Sequence, residues 1–90
     1  MAYKIEIERQ AQKELIRLPK EVQKRIATVI DALAEIPRPP GCLPVQNAPK
    51  GTYRIRVGDY RVSYVVLDDR AAIIIARITR RSESTYRQLG

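Results

Sequence analysis

The chain has no histidine, no tryptophan and no phenylalanine, and one cysteine and one methionine in 90 residues. Each absence removes a class of chemistry. Without histidine there is no His-based triad, no histidine general base and no His-ligated zinc site. A single cysteine, Cys42, rules out an internal disulfide framework and does not make a metal site. The ten acidic residues are scattered, with no spacing suited to a magnesium ion, so neither a metal nor any other cofactor is expected. No run of about 18 apolar residues occurs, so no membrane span is expected. The opening "MAYKIEIERQ" lacks the apolar core of a secretion signal, which makes the cytoplasm the expected compartment.

What is present is positive charge on a foldable chain. Hydrophobic residues make up 44%, enough for one domain over residues 1–90 with a single modest core. Seventeen basic against ten acidic side chains give a net charge of +7, which favours a polyanionic partner such as nucleic acid, an acidic protein or an anionic surface. The basic residues are unevenly made. Residues 1–50 mix lysine and arginine, whereas all eight basic residues of 51–90 are arginine. Arginine's planar fork binds phosphate or carboxylate bidentately, a match that lysine's point charge does not offer.

The alternation of "YKIEIE" predicts a half-buried first strand with Tyr3, Ile5 and Ile7 on one face. Ala11, Leu15 and Leu18 recur at helical spacing from Arg9 to Leu18, and Leu18-Pro19 ends that helix and starts another. Val22, Ile26, Val29, Ile30, Leu33 and Ile36 form the apolar stripe of the second helix, which Pro37 stops. Residues 37–51, "PRPPGCLPVQNAPKG", read as a stiff irregular loop. In "YRIRVGDYRVSY" the Gly58-Asp59 pair closes a hairpin that sets Val57 against Tyr60, Arg56 against Arg61, Ile55 against Val62 and Arg54 against Ser63. Tyr53, Ile55, Val57, Tyr60, Val62 and Tyr64 then face the core, and Arg54, Arg56 and Arg61 share the other face. Like charges directly opposite cost roughly 0.2–1 kcal/mol, so the arrangement is unfavourable unless an anion is expected there. "AAIIIARIT" reads as a central strand covered on both faces. The turn before it, around Asp68-Asp69-Arg70, holds two or three residues, and that choice decides whether Arg77 joins the arginine face.

These residues resemble the RelE family of toxins from toxin–antitoxin pairs. The likeness runs from "MAYKIEIERQAQKEL" through the second helix to "YRIRVGDYRVSYVV" and the terminal "RRSESTY". It implies an α+β fold: an N-terminal strand, an antiparallel two-helix hairpin, a three-stranded antiparallel meander and a short C-terminal helix, in the style of microbial ribonucleases. It also implies a toxin that enters the ribosomal A site and cuts messenger RNA there, silenced by a RelB-like antitoxin through which alone operator DNA is bound. No membrane partner is implied. On the family's pattern Arg61 holds the scissile phosphate, Arg54 and Arg56 fall where relatives carry lysines, Arg81 or Arg80 is the arginine after the third strand, and Tyr86 is the C-terminal tyrosine. Lys50, Arg77, Arg80 and Arg87 complete the expected RNA- and ribosome-binding set.

The implied chemistry is attack by the RNA's own 2′-hydroxyl, without metal, leaving a 2′,3′-cyclic phosphate. Arginine suits charge stabilisation in that reaction and is a poor base, because it does not deprotonate in proteins. Tyr86 is then the candidate proton acceptor, or else a platform on which a base stacks. Two other readings stand beside this one. ParE toxins share the fold and are believed to poison DNA gyrase without ribonuclease residues. A non-catalytic nucleic-acid-binding module would use the arginine face for electrostatics alone.

Overall fold

A computed structural model of the chain describes residues 2–80. The order is β1 (Lys4–Ile7), α1 (Arg9–Ile16), α2 (Lys20–Glu35), β2 (Leu43–Pro44), β3 (Thr52–Val57), β4 (Tyr60–Leu67) and β5 (Ala72–Arg80), with one 3₁₀ turn, Asp68–Arg70, between β4 and β5. One sheet runs β1-β5-β4-β3-β2. β1 lies parallel to β5, and the other neighbours are antiparallel. The class is α+β, as expected. The C-terminal helix expected from the sequence falls outside the described residues.

The helical hairpin is built from local chemistry. α1 ends at Ile16, two residues earlier than the apolar spacing suggests, because Gln23 of α2 donates its side-chain amide to the Leu18 carbonyl at 2.8 Å and to the Ile16 carbonyl at 3.3 Å. Those bonds satisfy carbonyls that a helix end leaves without partners. Pro19 stands just before α2 and not inside its first turn: its ψ of 148° is extended, and its carbonyl accepts the Gln23 N–H at 2.9 Å. α2 buries Ile26, Ile30 and Leu33 and packs Val22 and Val29 against the same core. Ile36 departs from the expected stripe and is 58% exposed, because its backbone has already left the helix at φ −130°.

The sheet face under the helices carries Val57, Val62, Tyr64, Val66, Ile73, Ile75 and Ile78, all buried. Tyr64 is the largest wholly buried side chain; its hydroxyl donates to the Pro37 carbonyl at 2.9 Å and its ring stacks on Tyr53 at 6.1 Å. The proline segment, expected to be loop throughout, contributes β2, which adds a two-residue edge strand to β3. The segment returns through Gly51 at φ 92°, where an added Cβ would stand 3.0 Å from the Val66 carbonyl oxygen, so the close approach requires glycine.

β5 is the central strand that the three isoleucines indicate, but its two faces are not alike. Ile73 and Ile75 are fully buried and Ile74, facing away from the helices, is only half-buried. A β-bulge then changes the alternation. Ser63 pairs with Arg77 and Tyr64 with Ile75, which leaves Ala76 without an opposite residue. Strict alternation from Ile73 and Ile75 would drive Arg77 into the core. The inserted residue instead turns Ile78 inward and Arg77 outward.

β1 stops at Ile7, so on that side the far half of β5 has no strand beside it among the described residues. Glu14 of α1 covers that edge. One carboxylate oxygen accepts the Ile78 N–H at 2.7 Å, and the other accepts Arg77 Nε at 2.9 Å and Gln10 Nε2 at 3.2 Å. Burial pushes the Glu14 carboxyl up, but the bonds from Arg77, the Ile78 N–H and Gln10 outweigh it and hold the group below the usual carboxylate range. With the folded value below the unfolded one, the stabilisation is complete above about pH 4.5 and is lost as pH falls through the lower folded value. Glu14→Gln keeps the shape and removes the charge. In chemical denaturation it should lower stability at pH 7 by on the order of 1–2 kcal/mol, and the gap to wild type should close as the medium is made acid. A gap that stays constant across pH would sink this account.

Candidate anion-binding cleft

The register of β3 and β4 is the one that the Gly58-Asp59 turn dictates: Val57 opposite Tyr60, Arg56 opposite Arg61, Ile55 opposite Val62 and Arg54 opposite Ser63. Gly58 takes the required positive φ of 61°. Because Val57, Val62 and Tyr64 point under the helices, Arg54, Arg56 and Arg61 emerge on the opposite face. That face is walled. β2 pairs Leu43 with Arg54 and Pro44 with Tyr53, folding the proline segment over the side of the sheet. The outcome is a cleft of about 530 Å³ lined by Pro40, Gly41, Leu43, Arg54, Ile55, Arg56 and Arg61.

Three apolar residues, Pro40, Leu43 and Ile55, and three arginines meet there. Arg56 and Arg61 are direct cross-strand partners, with Cβ atoms about 4.5–5.5 Å apart by sheet geometry. Among the described residues the ion pairs lie elsewhere, Arg38 with Asp68 and Arg77 with Glu14, so no described carboxylate neutralises Arg54 or Arg56. Such an arrangement suits a phosphate or carboxylate ligand held by charge-assisted bonds. The lining residues offer no proton acceptor, since arginine stays protonated.

The other residues singled out from sequence are not gathered at this cleft. Arg77 stands in line with Ser63 and Arg54, hence on the arginine face, but its guanidinium turns to Glu14 at 2.8 Å. Arg80 pairs with Tyr60 and falls on the other face, lining a separate groove with Glu14, Arg17, Tyr60 and Thr79. Lys50 is exposed in the turn before β3 and does not line the cleft. Arg81, Tyr86 and Arg87 lie outside the described residues.

Sequence reasoning missed a cluster behind the cleft wall. Arg38 donates to Asp68 at 2.7 Å and to the Tyr53 hydroxyl at 3.1 Å, with its guanidinium carbon 5.3 Å from the Tyr53 ring centre. The Tyr3 hydroxyl donates to the second Asp68 oxygen at 2.7 Å. The Arg38 and Tyr3 bonds hold the Asp68 carboxyl below its ordinary value. In turn Asp68 raises both Arg38 and the Tyr3 hydroxyl. Burial pushes the Tyr64 hydroxyl well above the ordinary tyrosine range, and the adjacent Cys42 thiol adds to the effect. Four residues, from the position before β1, the proline segment, β3 and the β4–β5 turn, converge, and no spacing in the sequence links them.

The Arg56–Arg61 pairing has a measurable consequence. Arg56→Thr, with its β-favouring side chain, should raise stability by about 0.2–1 kcal/mol at low salt, and the difference should shrink as salt screens the repulsion. Adding inorganic phosphate should stabilise wild type more than the variant in a thermal melt. A variant less stable than wild type at low salt would contradict the repulsion.

The family model described as the ParE toxin of type II toxin–antitoxin systems, parDE, matches residues 5–85. The chain is 37% identical over 90 residues to a protein of Methanocaldococcus jannaschii named "Putative toxin RelE1", covering 97% of this chain and 98% of that one. Among solved structures it is similar to the archaeal RelE–RelB complex from Pyrococcus horikoshii, with a TM-score of 0.80 and 32% identity over 90% of this chain and 97% of that chain. The fold also matches the intact RelBE toxin–antitoxin complex of E. coli, at a TM-score of 0.77 and 22% identity over 88% of this chain and 96% of that one. Matches that span nearly the whole chain place the protein in the ParE/RelE family of toxins from type II toxin–antitoxin systems.

Proposed function

We propose that the protein is a ribosome-dependent endoribonuclease that cuts messenger RNA in the A site and is neutralised in the cytoplasm by a RelB-like antitoxin. The observation that carries this reading is the cleft itself: Arg54, Arg56 and Arg61 converge on one open face, and no described carboxylate answers Arg54 or Arg56. The likeness to a RelE-named relative and to a RelE–RelB complex supports the antitoxin as the partner that supplies that charge from outside. An acidic, amphipathic segment would offer carboxylates to the arginines and apolar side chains to Pro40 and Leu43. Operator DNA would be reached only through the antitoxin.

In the reaction Arg61 grips the scissile phosphate, and Arg54 and Arg56 spread charge over the pentacoordinate transition state, each charge-assisted bond contributing about 1.5–3 kcal/mol. The 2′-oxygen attacks phosphorus, the bond to the 5′-oxygen breaks, that oxygen takes up a proton and departs as a 5′-hydroxyl, and a 2′,3′-cyclic phosphate remains. The 2′-proton must leave to a group outside the described lining. Tyr86 is the candidate from sequence. A cleft rich in charge and poor in bases works slowly on free RNA, which is consistent with dependence on the ribosome to align the substrate.

The match to the ParE family model favours a second reading, a gyrase poison that binds protein and cuts nothing. Cell-free translation of a defined message, with 5′ ends mapped with and without ribosomes, separates the two. Ribosome-dependent breaks inside codons, abolished by Arg61→Ala, are the expected result. Intact message from wild-type protein that still arrests growth would turn the reading to gyrase. Binding that weakens in graded steps at each Arg→Ala change, with no cleavage, would indicate a non-catalytic module.

A further inference from the structure

The cleft wall is held at three places, one of them the buried Tyr64 hydroxyl, which donates to the Pro37 carbonyl at 2.9 Å and stands beside the Cys42 thiol. At its far end Leu43 and Pro44 pair with β3. At its near end stands Arg38, between Pro37 and Pro39, and from there the chain runs to the lining residues Pro40 and Gly41. Pro39 and Cys42 close a turn, with the Cys42 N–H donating to the Pro39 carbonyl at 3.1 Å, but that bond is internal to the wall and ties it to nothing. Gly41 sits at φ 96° with nothing within 4 Å of an added Cβ, so at that residue the wall faces open space. Tyr64 ties Pro37 and Cys42 to the core, and residue 38 supplies the remaining tie. Arg38 reaches out of the segment to two elements at once, the Asp68 carboxylate of the β4–β5 turn and the Tyr53 hydroxyl of β3. Asp68 is fixed from its other side by the Tyr3 hydroxyl.

From this arrangement we infer that Arg38 and Asp68 are positioning residues for the cleft: their clamp holds the Pro39–Gly41 wall at the distance from Arg54, Arg56 and Arg61 that a single-stranded RNA backbone requires. The inference rests on reading the cleft as the RNA site. The pair is a poor stabilising device, since its side chains are 41% and 57% exposed and exposed ion pairs add little to folding. Its geometry is nonetheless specific. A lysine at 38 could meet Asp68, but its donors all radiate from one mobile nitrogen, whereas the planar guanidinium aims Nε at the Tyr53 hydroxyl and a terminal nitrogen at Asp68 in one fixed fork.

The test is the affinity of the purified full-length protein for a fluorescein-labelled single-stranded RNA oligonucleotide, read by anisotropy at low salt, with a thermal melt of each variant. Asp68→Asn separates positioning from simple charge. Losing a negative charge beside a basic cleft should tighten anion binding if only the net field matters. A slackened wall should weaken it, by about 3–10-fold, because the bound geometry is no longer preorganised. Arg38→Lys, which keeps the charge, should weaken binding to a similar degree, with melting points within about 3 °C of wild type for both variants. Tighter or unchanged binding by Asp68→Asn, or full affinity in Arg38→Lys, would overturn the positioning role. Arg56→Ala is the control for the cleft. Lost affinity in that variant with none lost at positions 38 and 68 leaves the cleft reading standing and removes this inference. Unchanged affinity in Arg56→Ala removes both.

Discussion

Two residues, Gly58 and Asp59, govern which way every side chain of the central hairpin points. A two-residue turn admits one pairing, and the pleat then assigns alternate residues to alternate faces. One extra residue in that turn would shift one strand against the other, carrying arginines under the helices and valines into the open. The cost of burying an unpaired guanidinium is far larger than the modest repulsion between Arg56 and Arg61, so the register is held from the core side. Arg56 and Arg61 remain opposite one another because Val57, Val62 and Tyr64 cannot be anywhere else. The repulsion on the open face is tolerated by a fold anchored on the closed one.

The same logic extends across the sheet through the bulge at Ala76. A continuous apolar run such as Ile73-Ile74-Ile75 tells a reader that a strand is well inside the sheet, but not which of its residues faces which layer. The inserted residue lets β5 bury Ile73, Ile75 and Ile78 while Arg77 stays outside and finds Glu14. Glu14 thereby serves two ends, closing the hydrogen-bonding edge that β1 leaves open and taking Arg77 out of the set of cations available to a ligand. Arg54 and Arg56 on β3 stay without a described carboxylate, and Arg61 stands beside them on β4.

Local signals made much of this legible. The hairpin register, the core-facing tyrosines, the amphipathic second helix and the central isoleucine strand all follow from periodicity and turn chemistry, which act over a few residues. Less legible was whatever depends on distant partners. Pro19 stays outside α2 because its backbone is extended, Ile36 turns outward because the backbone has left the helix, and Leu43-Pro44 becomes a strand only because β3 offers it an edge. The Arg38–Asp68–Tyr3–Tyr53 cluster joins residues up to 65 positions apart, and nothing in the composition around Arg38 separates it from any other loop arginine. The arginines of the cleft were legible as a group, since they lie on one short hairpin. Its wall was not.

The parallel pairing of β1 with β5 sets an order of events during synthesis. Lys4 precedes its partner Ala72 by 68 residues, with both helices and strands β2 to β4 between them. The helical hairpin and the β3–β4 ribbon can form from neighbouring sequence, but β1 cannot pair until β5 has been made, and its loop-closure entropy is met only then. A nascent chain of this protein therefore carries its arginine ribbon before it has a closed sheet to support it. β1 is made before β5 and docks after it, so the sheet closes only once both strands are free to meet.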